Sequence, residues 1–299
     1  MNVQQRFEQL VQEVVTETGS DLYILPDTDG YRIRFVAHGK LVDLTQLSPE
    51  EGNRLIRHIK FQSAMDISEL RRPQMGRWQY LLGERCINCR ISCVGDFLNR
   101  ESVVVRFIYE AKDVELIWQN QAAVDKLRTA VKSSVGLILL SGSMGSGKTT
   151  TMYHVARELG LSKFILTIED PVEIMEPDFL QLQVNDLADM SYATLLKLAL
   201  RHHPDVMIIG EIRDAKTAKI VVEAALSGHL IISTVHATSL LGVWYRMRSF
   251  GIDEATLQQV LSGVGHQAMQ TLANGGNAVA LQFLDRPDIK QMLEVENVA

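Results

Sequence analysis

The stretch Gly142-Ser143-Met144-Gly145-Ser146-Gly147-Lys148-Thr149 carries the plainest chemical commitment in this chain. Its spacing, G-x-x-x-x-G-K-T, is that of a P-loop, and the glycines allow backbone N–H groups to curl around phosphate oxygens. A helix starting at the loop adds the favourable end of its dipole. Lys148 is expected to reach the β- and γ-phosphates and the Thr149 hydroxyl to ligate Mg2+, with Thr150 closing the set of nucleotide-holding residues. The context agrees, because the apolar run 135–140 precedes the motif and a helical stretch follows it. A glycine-rich turn with a solvated lysine is the plain alternative, and the complete pattern argues against it.

Nucleotide hydrolysis also needs a carboxylate near the metal and one, or the same one, to orient water. Glu169, in Thr167-Ile168-Glu169-Asp170-Pro171, and Glu211, after the run 206–209, stand at the ends of expected parallel strands. Ligands bind at that edge of open α/β sheets. Glu211 is the expected metal-side carboxylate with Thr149, directly or through water, and either glutamate could activate the water. Either could also be a solvated strand end. His229 and His236 flank the apolar run 230–234. His236 falls at the ligand-facing end and reads as a phosphate sensor, whereas His229 lies at the opposite end and equally suits packing.

The elements that must position these groups change character along the chain. In the first hundred residues Phe7, Leu10, Val11, Val14 and Val15 recur at helical spacing. Residues 22–24 and 32–35 read as short strands around the turn 27–30. Ser48, Pro49 and Glu51 announce a helix start. Residues 78–82, 86–93 and 102–107 then read as antiparallel strands of an α+β domain, 1–107. A charged linker, 108–118, leads to domain 119–299. There, continuous apolar runs at 135–140, 164–168, 206–209 and 230–232 alternate with helical patterns at 193–200 and 215–226. That grammar implies an α/β domain with a mostly parallel sheet covered on both faces.

Bulk properties narrow the classes. At 299 residues, with 46% hydrophobic and 22% charged residues, the chain supports two ordinary cores. A formal net charge of −6 argues against a nucleic-acid surface, so no direct nucleic-acid binding is expected. No apolar run reaches membrane-spanning length and no signal-peptide core opens the chain, which points to the cytoplasm. The three cysteines, Cys86, Cys89 and Cys93, lie on one expected strand. Alternation turns Cys89 and Cys93 to one face and Cys86 to the other, so buried thiols rather than a zinc site are expected.

Taken in this order, the motifs resemble those of the type II/type IV secretion ATPase family, over nearly the whole chain. Residues 142–149 match its Walker A loop and 167–173 its aspartate box. Pro204-Asp205 through Gly210-Glu211-Ile212-Arg213-Asp214 match its atypical Walker B, and 228–236 its histidine box. Residues 19–22 and 65–74 match its front domain. The resemblance implies a RecA-like C-terminal ATPase domain preceded by a smaller PAS-like domain. It also implies ATP and Mg2+ as cofactors, and a homo-oligomer, typically a hexamer, docked peripherally on an inner-membrane platform protein. Arginines of the front domain complete the family's nucleotide site, and the matching positions are Arg90 and Arg106.

Three departures are visible. No cysteine follows Cys93, so the zinc module of many members is missing. Gly265-His266-Gln267-Ala268-Met269 stands where a Gln-Arg-Leu is usual, so one arginine is replaced. The chain also begins almost at the second of the two N-terminal domains of larger relatives. The compact layout is most similar to the competence pseudopilus ATPases of the family. The expected function is thus an ATPase motor for a type IV pilus-like or competence pseudopilus, or for type II secretion. The alternative is a poorly hydrolysing nucleotide-binding scaffold. An ABC-type ATPase is disfavoured because Leu261-Ser262-Gly263-Val264-Gly265 follows the Walker B stretch, and a helicase is disfavoured by the acidic charge.

Overall fold

Two compact units, Met1–Tyr109 and Glu110–Ala299, make up the computed structural model of the chain. The structure describes all residues except 1, 38, 84, 110–115, 134, 161, 186–187, 273–276 and 297–299. Most of the expected charged linker, 110–115, therefore lies outside the described residues. Its flanks belong to the units: Ile108 ends a strand, and Trp118 pairs with Val279.

The first unit runs α1 (Val3–Thr16), β1 (Asp21–Asp27), β2 (Gly30–Ala37), β3 (Lys40–Leu47), α2 (Pro49–Gln62), β4 (Gln74–Leu82), β5 (Arg85–Gly95) and β6 (Glu101–Ile108). All strand pairs are antiparallel, in the order β3-β2-β1-β6-β5-β4. Helix α2 begins as its sequence demands, with Ser48 and Glu51 closing a reciprocal capping box and Pro49 at its first position. The apolar stripe of α1 (Phe7, Leu10, Val11, Val14) and that of α2 (Leu55, Ile56, Ile59) cover one sheet face. Ile87, Cys89, Ile91 and Cys93 of β5 point into that core, while Cys86 is exposed. Burial pushes the Cys89 thiol up to about 12. Among the described residues an ion pair is sealed inside: Lys60, fully buried, binds Glu101 and donates a second hydrogen bond to the Glu69 carbonyl at 2.7 Å.

The second unit contains α3 (Gln121–Ser133), β7 (Gly136–Ser141), α4 (Lys148–Arg157), β8 (Ile165–Glu169), β9 (Leu180–Gln183), α5 (Tyr192–Arg201), β10 (Val206–Ile209), α6 (Ala215–Leu226), β11 (Leu230–Thr234), α7 (Leu240–Ser249), α8 (Glu254–Val260), β12 (Leu261–Thr271), β13 (Asn277–Asp285) and α9 (Arg286–Glu296). Its sheet has the order β13-β12-β7-β11-β10-β8-β9, parallel except for the β12–β13 pair. Residues of β7, β8, β10 and β11 are buried throughout, because both faces are covered. Residues of α3 and α4 build the core on one face. Those of α5 to α9 build the other. This arrangement explains why the strands read as unbroken apolar runs. Since β7, β8, β10 and β11 run parallel, the chain leaves all four at one edge of the sheet.

Candidate nucleotide site

The loop between β7 and α4 turns on glycines in the left-handed region, with φ of +146° at Gly142, +74° at Gly145 and +83° at Gly147. Gly147 is also the N-cap of α4, so Lys148 and Thr149 occupy the first helical turn. Lys148 Nζ donates to the carbonyls of Gly142 and Ser143, at 2.9 and 2.8 Å. It therefore lies across its own loop, at the helix end where anions are favoured. Burial lowers the Lys148 pKa, and the nearby carboxylates of Glu211 and Glu173 work against that shift. Thr149 Oγ1 donates to Glu173 Oε2 at 3.1 Å.

The acidic and basic groups converge from the other strand ends. Glu211 follows β10, and the backbone there is tied to β11: Thr234 Oγ1 donates to the Gly210 carbonyl and the Ile212 N–H to the Thr234 carbonyl, both at 2.8 Å. Glu211 Oε1 receives Arg213 at 2.5 Å, and Oε2 faces His236 Nε2 at 3.1 Å. Arg213 also reaches Asp170 at 3.2 Å. Burial raises the Glu211 pKa, but Arg213 and His236 outweigh it and hold the carboxyl below its ordinary value. Glu211 is thus an ionised carboxylate close enough to Lys148 to influence it, and His236 touches it directly.

Glu169, the other expected candidate for orienting water, has different surroundings. Its residue is only 3% exposed, and Oε1 accepts hydrogen bonds from Tyr153 Oη at 2.5 Å and Thr167 Oγ1 at 2.7 Å. Burial raises its pKa. The side chain accepts these bonds beneath α4, to which Tyr153 belongs. Other members of the sequence motifs have structural roles. Asp205 receives the Phe164 N–H and Lys163, and Asp214 caps α6 through the Thr217 N–H. His229 stays at the far end of β11, beside the Ala224 carbonyl.

Arg90 and Arg106 belong to the first unit, directly opposite one another on β5 and β6. Arg106 Nε donates to Asp21 Oδ1 at 2.7 Å. Arg77 on β4 is the Cα partner of Arg90, so three arginines stand in register on the face away from the core. Sequence reasoning missed Arg77, whose signal is its odd-numbered alternation with Met75 and Gln79 along an amphipathic strand. It also missed Glu173, which lies inside a motif it had singled out, and Gln267. Gln267 Nε2 donates to the Ser146 carbonyl at 2.5 Å from β12, a contact made across 121 positions that no local pattern announces. Ala268, where the expected arginine is replaced, is exposed on the opposite face of that strand.

The family model described as "Type II/IV secretion system protein" matches residues 2–292. The chain is 36% identical over 278 residues to the competence protein ComGA of Streptococcus pneumoniae, covering 93% of this chain and 87% of that protein. It is also 36% identical over 256 residues to the type II secretion system ATPase E of Vibrio cholerae, covering 84% of this chain and 51% of that one. Among solved structures, the Legionella pneumophila ATPase DotB superposes with a TM-score of 0.78 at 18% identity, covering 97% of this chain and 83% of DotB. The pilus retraction motor PilT with bound ADP gives 0.70 at 21% identity, covering 97% and 88%. The chain belongs to the type II/IV secretion system protein family and is one of its ATPases.

Proposed function

We propose that the chain hydrolyses ATP with Mg2+ to power assembly of a pilus-like filament, a competence pseudopilus or a type II secretion system. The observation that carries the reading is the P-loop itself, with Lys148 on the first turn of α4 and the carboxylates of Glu173 and Glu211 beside it. The strand order supports a RecA-like second unit, since β11 lies between the P-loop strand β7 and the acidic strand β10. The antiparallel sheet with helices on one face supports a PAS-like first unit. The division at Tyr109 and Glu110 falls inside the expected linker 108–118, which supports domains of 1–107 and 119–299.

In this reading residues 142–150 hold the triphosphate, with Lys148 at the β- and γ-phosphates. Glu211 orients the attacking water, and His236, hydrogen-bonded to Glu211, senses the γ-phosphate. Arg90 and Arg106 neutralise charge on the transferred phosphoryl group. The donor set suits Mg2+, a hard cation that needs only one or two protein oxygens beside phosphate and water, and Thr149 and Glu211 would hold it. Bound there, the ion would supply charge neutralisation at the phosphates. The family resemblance supports a homo-oligomer, a hexamer, as the working form, with an inner-membrane platform protein as its partner.

The test is steady-state ATPase activity against protein concentration for wild type, Lys148→Ala, Glu211→Gln and Arg90→Ala. Turnover should rise with assembly and vanish in the first two variants, while Arg90→Ala keeps ATP binding and loses turnover. The alanine at 268 favours one second reading, a nucleotide-gated scaffold. A wild type that binds ATP without turnover in any oligomer would establish that reading and sink the motor.

A further inference from the structure

β12 passes the P-loop at Gly142, Ser146 and Gly147. His266 pairs with Ser141 in register and its Nδ1 lies 2.9 Å from Ser141 Oγ. Further along, the Gln267 carbonyl is so close to Gly142 that a Cβ there would sit 2.2 Å from it. The Gln267 amide, in a residue 1% exposed, holds the Ser146 carbonyl, and Met269 Cε comes within 3.3 Å of a Cβ built on Gly147. Gln267 Oε1 and Ser146 Oγ are both buried without a hydrogen-bond partner among the described residues. A shift of the loop would redistribute that unused bonding capacity, so the contact is sensitive to the loop's shape.

The same strand leads elsewhere. Met269 is the Cα partner of Val279 on β13. Val279 N–H donates to the Ile117 carbonyl at 2.8 Å, and Gln119 N–H donates to the Val279 carbonyl at 3.1 Å. Residues 117–119 lie near the start of the second unit, eight to ten residues beyond its boundary with the first. Trp118, between those two bonds, also meets the ring of His154 on α4, with centroids 5.6 Å apart. The entry segment is therefore fastened to the nucleotide loop through two connections, one by α4 and one by β12 and β13.

We propose that Gln267 is a positioning residue that couples the state of the P-loop to the entry segment 117–119 through the β12–β13 hairpin. The inference rests on ATP binding at the P-loop. Phosphates entering the loop compete for Lys148, which now donates to the Gly142 and Ser143 carbonyls, and an adjustment of the loop would reach the Ser146–Gln267 contact. Backbone pairing transmits the change, since a ladder of hydrogen bonds moves as one element. The exposed Ala268 has no part in this path.

The test uses the full chain labelled with fluorotryptophan, whose three tryptophans, Trp78, Trp118 and Trp244, give three fluorine resonances. The Trp118 signal is identified by its loss in Trp118→Phe. A non-hydrolysable ATP analogue with Mg2+ should shift the Trp118 resonance in wild type. Gln267→Leu should bind the analogue within about tenfold of wild type, the scale of one lost hydrogen bond, yet lose most of the Trp118 shift. His154→Ala should keep a nucleotide-dependent shift. A full Trp118 response in nucleotide-bound Gln267→Leu overturns the proposal, as does a response abolished only by His154→Ala, which would assign the path to α4. Loss of binding in Gln267→Leu overturns it too, leaving Gln267 as support for the loop alone. If wild type does not bind the analogue, the ATP-site reading fails first; if it binds with Trp118 unmoved, only the coupling fails.

Discussion

Glu169 and Glu211 end neighbouring strands, yet their surroundings push their protons in opposite directions. Burial favours the neutral form of Glu169, and its hydroxyl donors only partly resist. Arg213 and His236 keep Glu211 charged despite its partial burial. Glu211→Gln should therefore lower kcat by about a hundredfold or more, the usual worth of a positioned acid–base group, with Glu169→Gln changing it far less. Single-turnover kinetics on both variants checks this, and equal losses would give Glu169 an equal part in the reaction. The two also differ in linkage. A carboxyl whose folded pKa is raised contributes stability that is full below its unfolded pKa and is lost as pH rises through the folded value. Glu169→Gln should thus flatten the fall in Tm on the way from acidic to neutral pH, as measured by calorimetry across that range. Side-chain identity alone placed both glutamates at the right edge of the sheet. It could not reveal that Tyr153, 16 positions away, claims one of them.

At the level of elements, the P-loop and β12 fit backbone to backbone. Gly142 is needed twice, for its φ of +146° and because any Cβ would strike the Gln267 carbonyl. Gly142→Ala should weaken ATP binding sharply while far-ultraviolet dichroism stays unchanged, although no group that touches phosphate through its side chain is lost. Isothermal titration reads the affinity; wild-type affinity would mean the loop is slack. The loop and α4 were legible because the motif and its flanking strand are local. β12 was not, because Gly263, Gly265 and His266 interrupt its apolar pattern and its place comes from pairing with β7. β3 escaped for a different reason. It is an edge strand whose residues are mostly exposed, so no burial period marks it.

On the scale of the whole molecule, each unit owns its apolar core: one in the first unit, and one on each face of the parallel sheet in the second. Calorimetry should resolve two transitions, and a nucleotide bound only by the P-loop unit should raise one of them. At a hundred times its Kd the ligand adds about 2.7 kcal/mol to that unit. A single transition that moves as a whole with nucleotide would refute independent cores. The change from half-buried to fully buried strands announced this division in the sequence, since a sheet covered on one face and a sheet covered on both leave different hydrophobic grammars.

The sealed pair of Lys60 and Glu101 places a constraint on how this protein can diverge. Losing either partner strands a charge in the first core, at a cost of about 3–5 kcal/mol, a large part of an ordinary domain's stability. Replacing both with apolar groups of similar volume costs little or nothing. Every single-step route between the two arrangements therefore passes through a crippled intermediate. Relatives that fold this unit should carry both charges or neither, and the two positions, 41 residues apart, should change together.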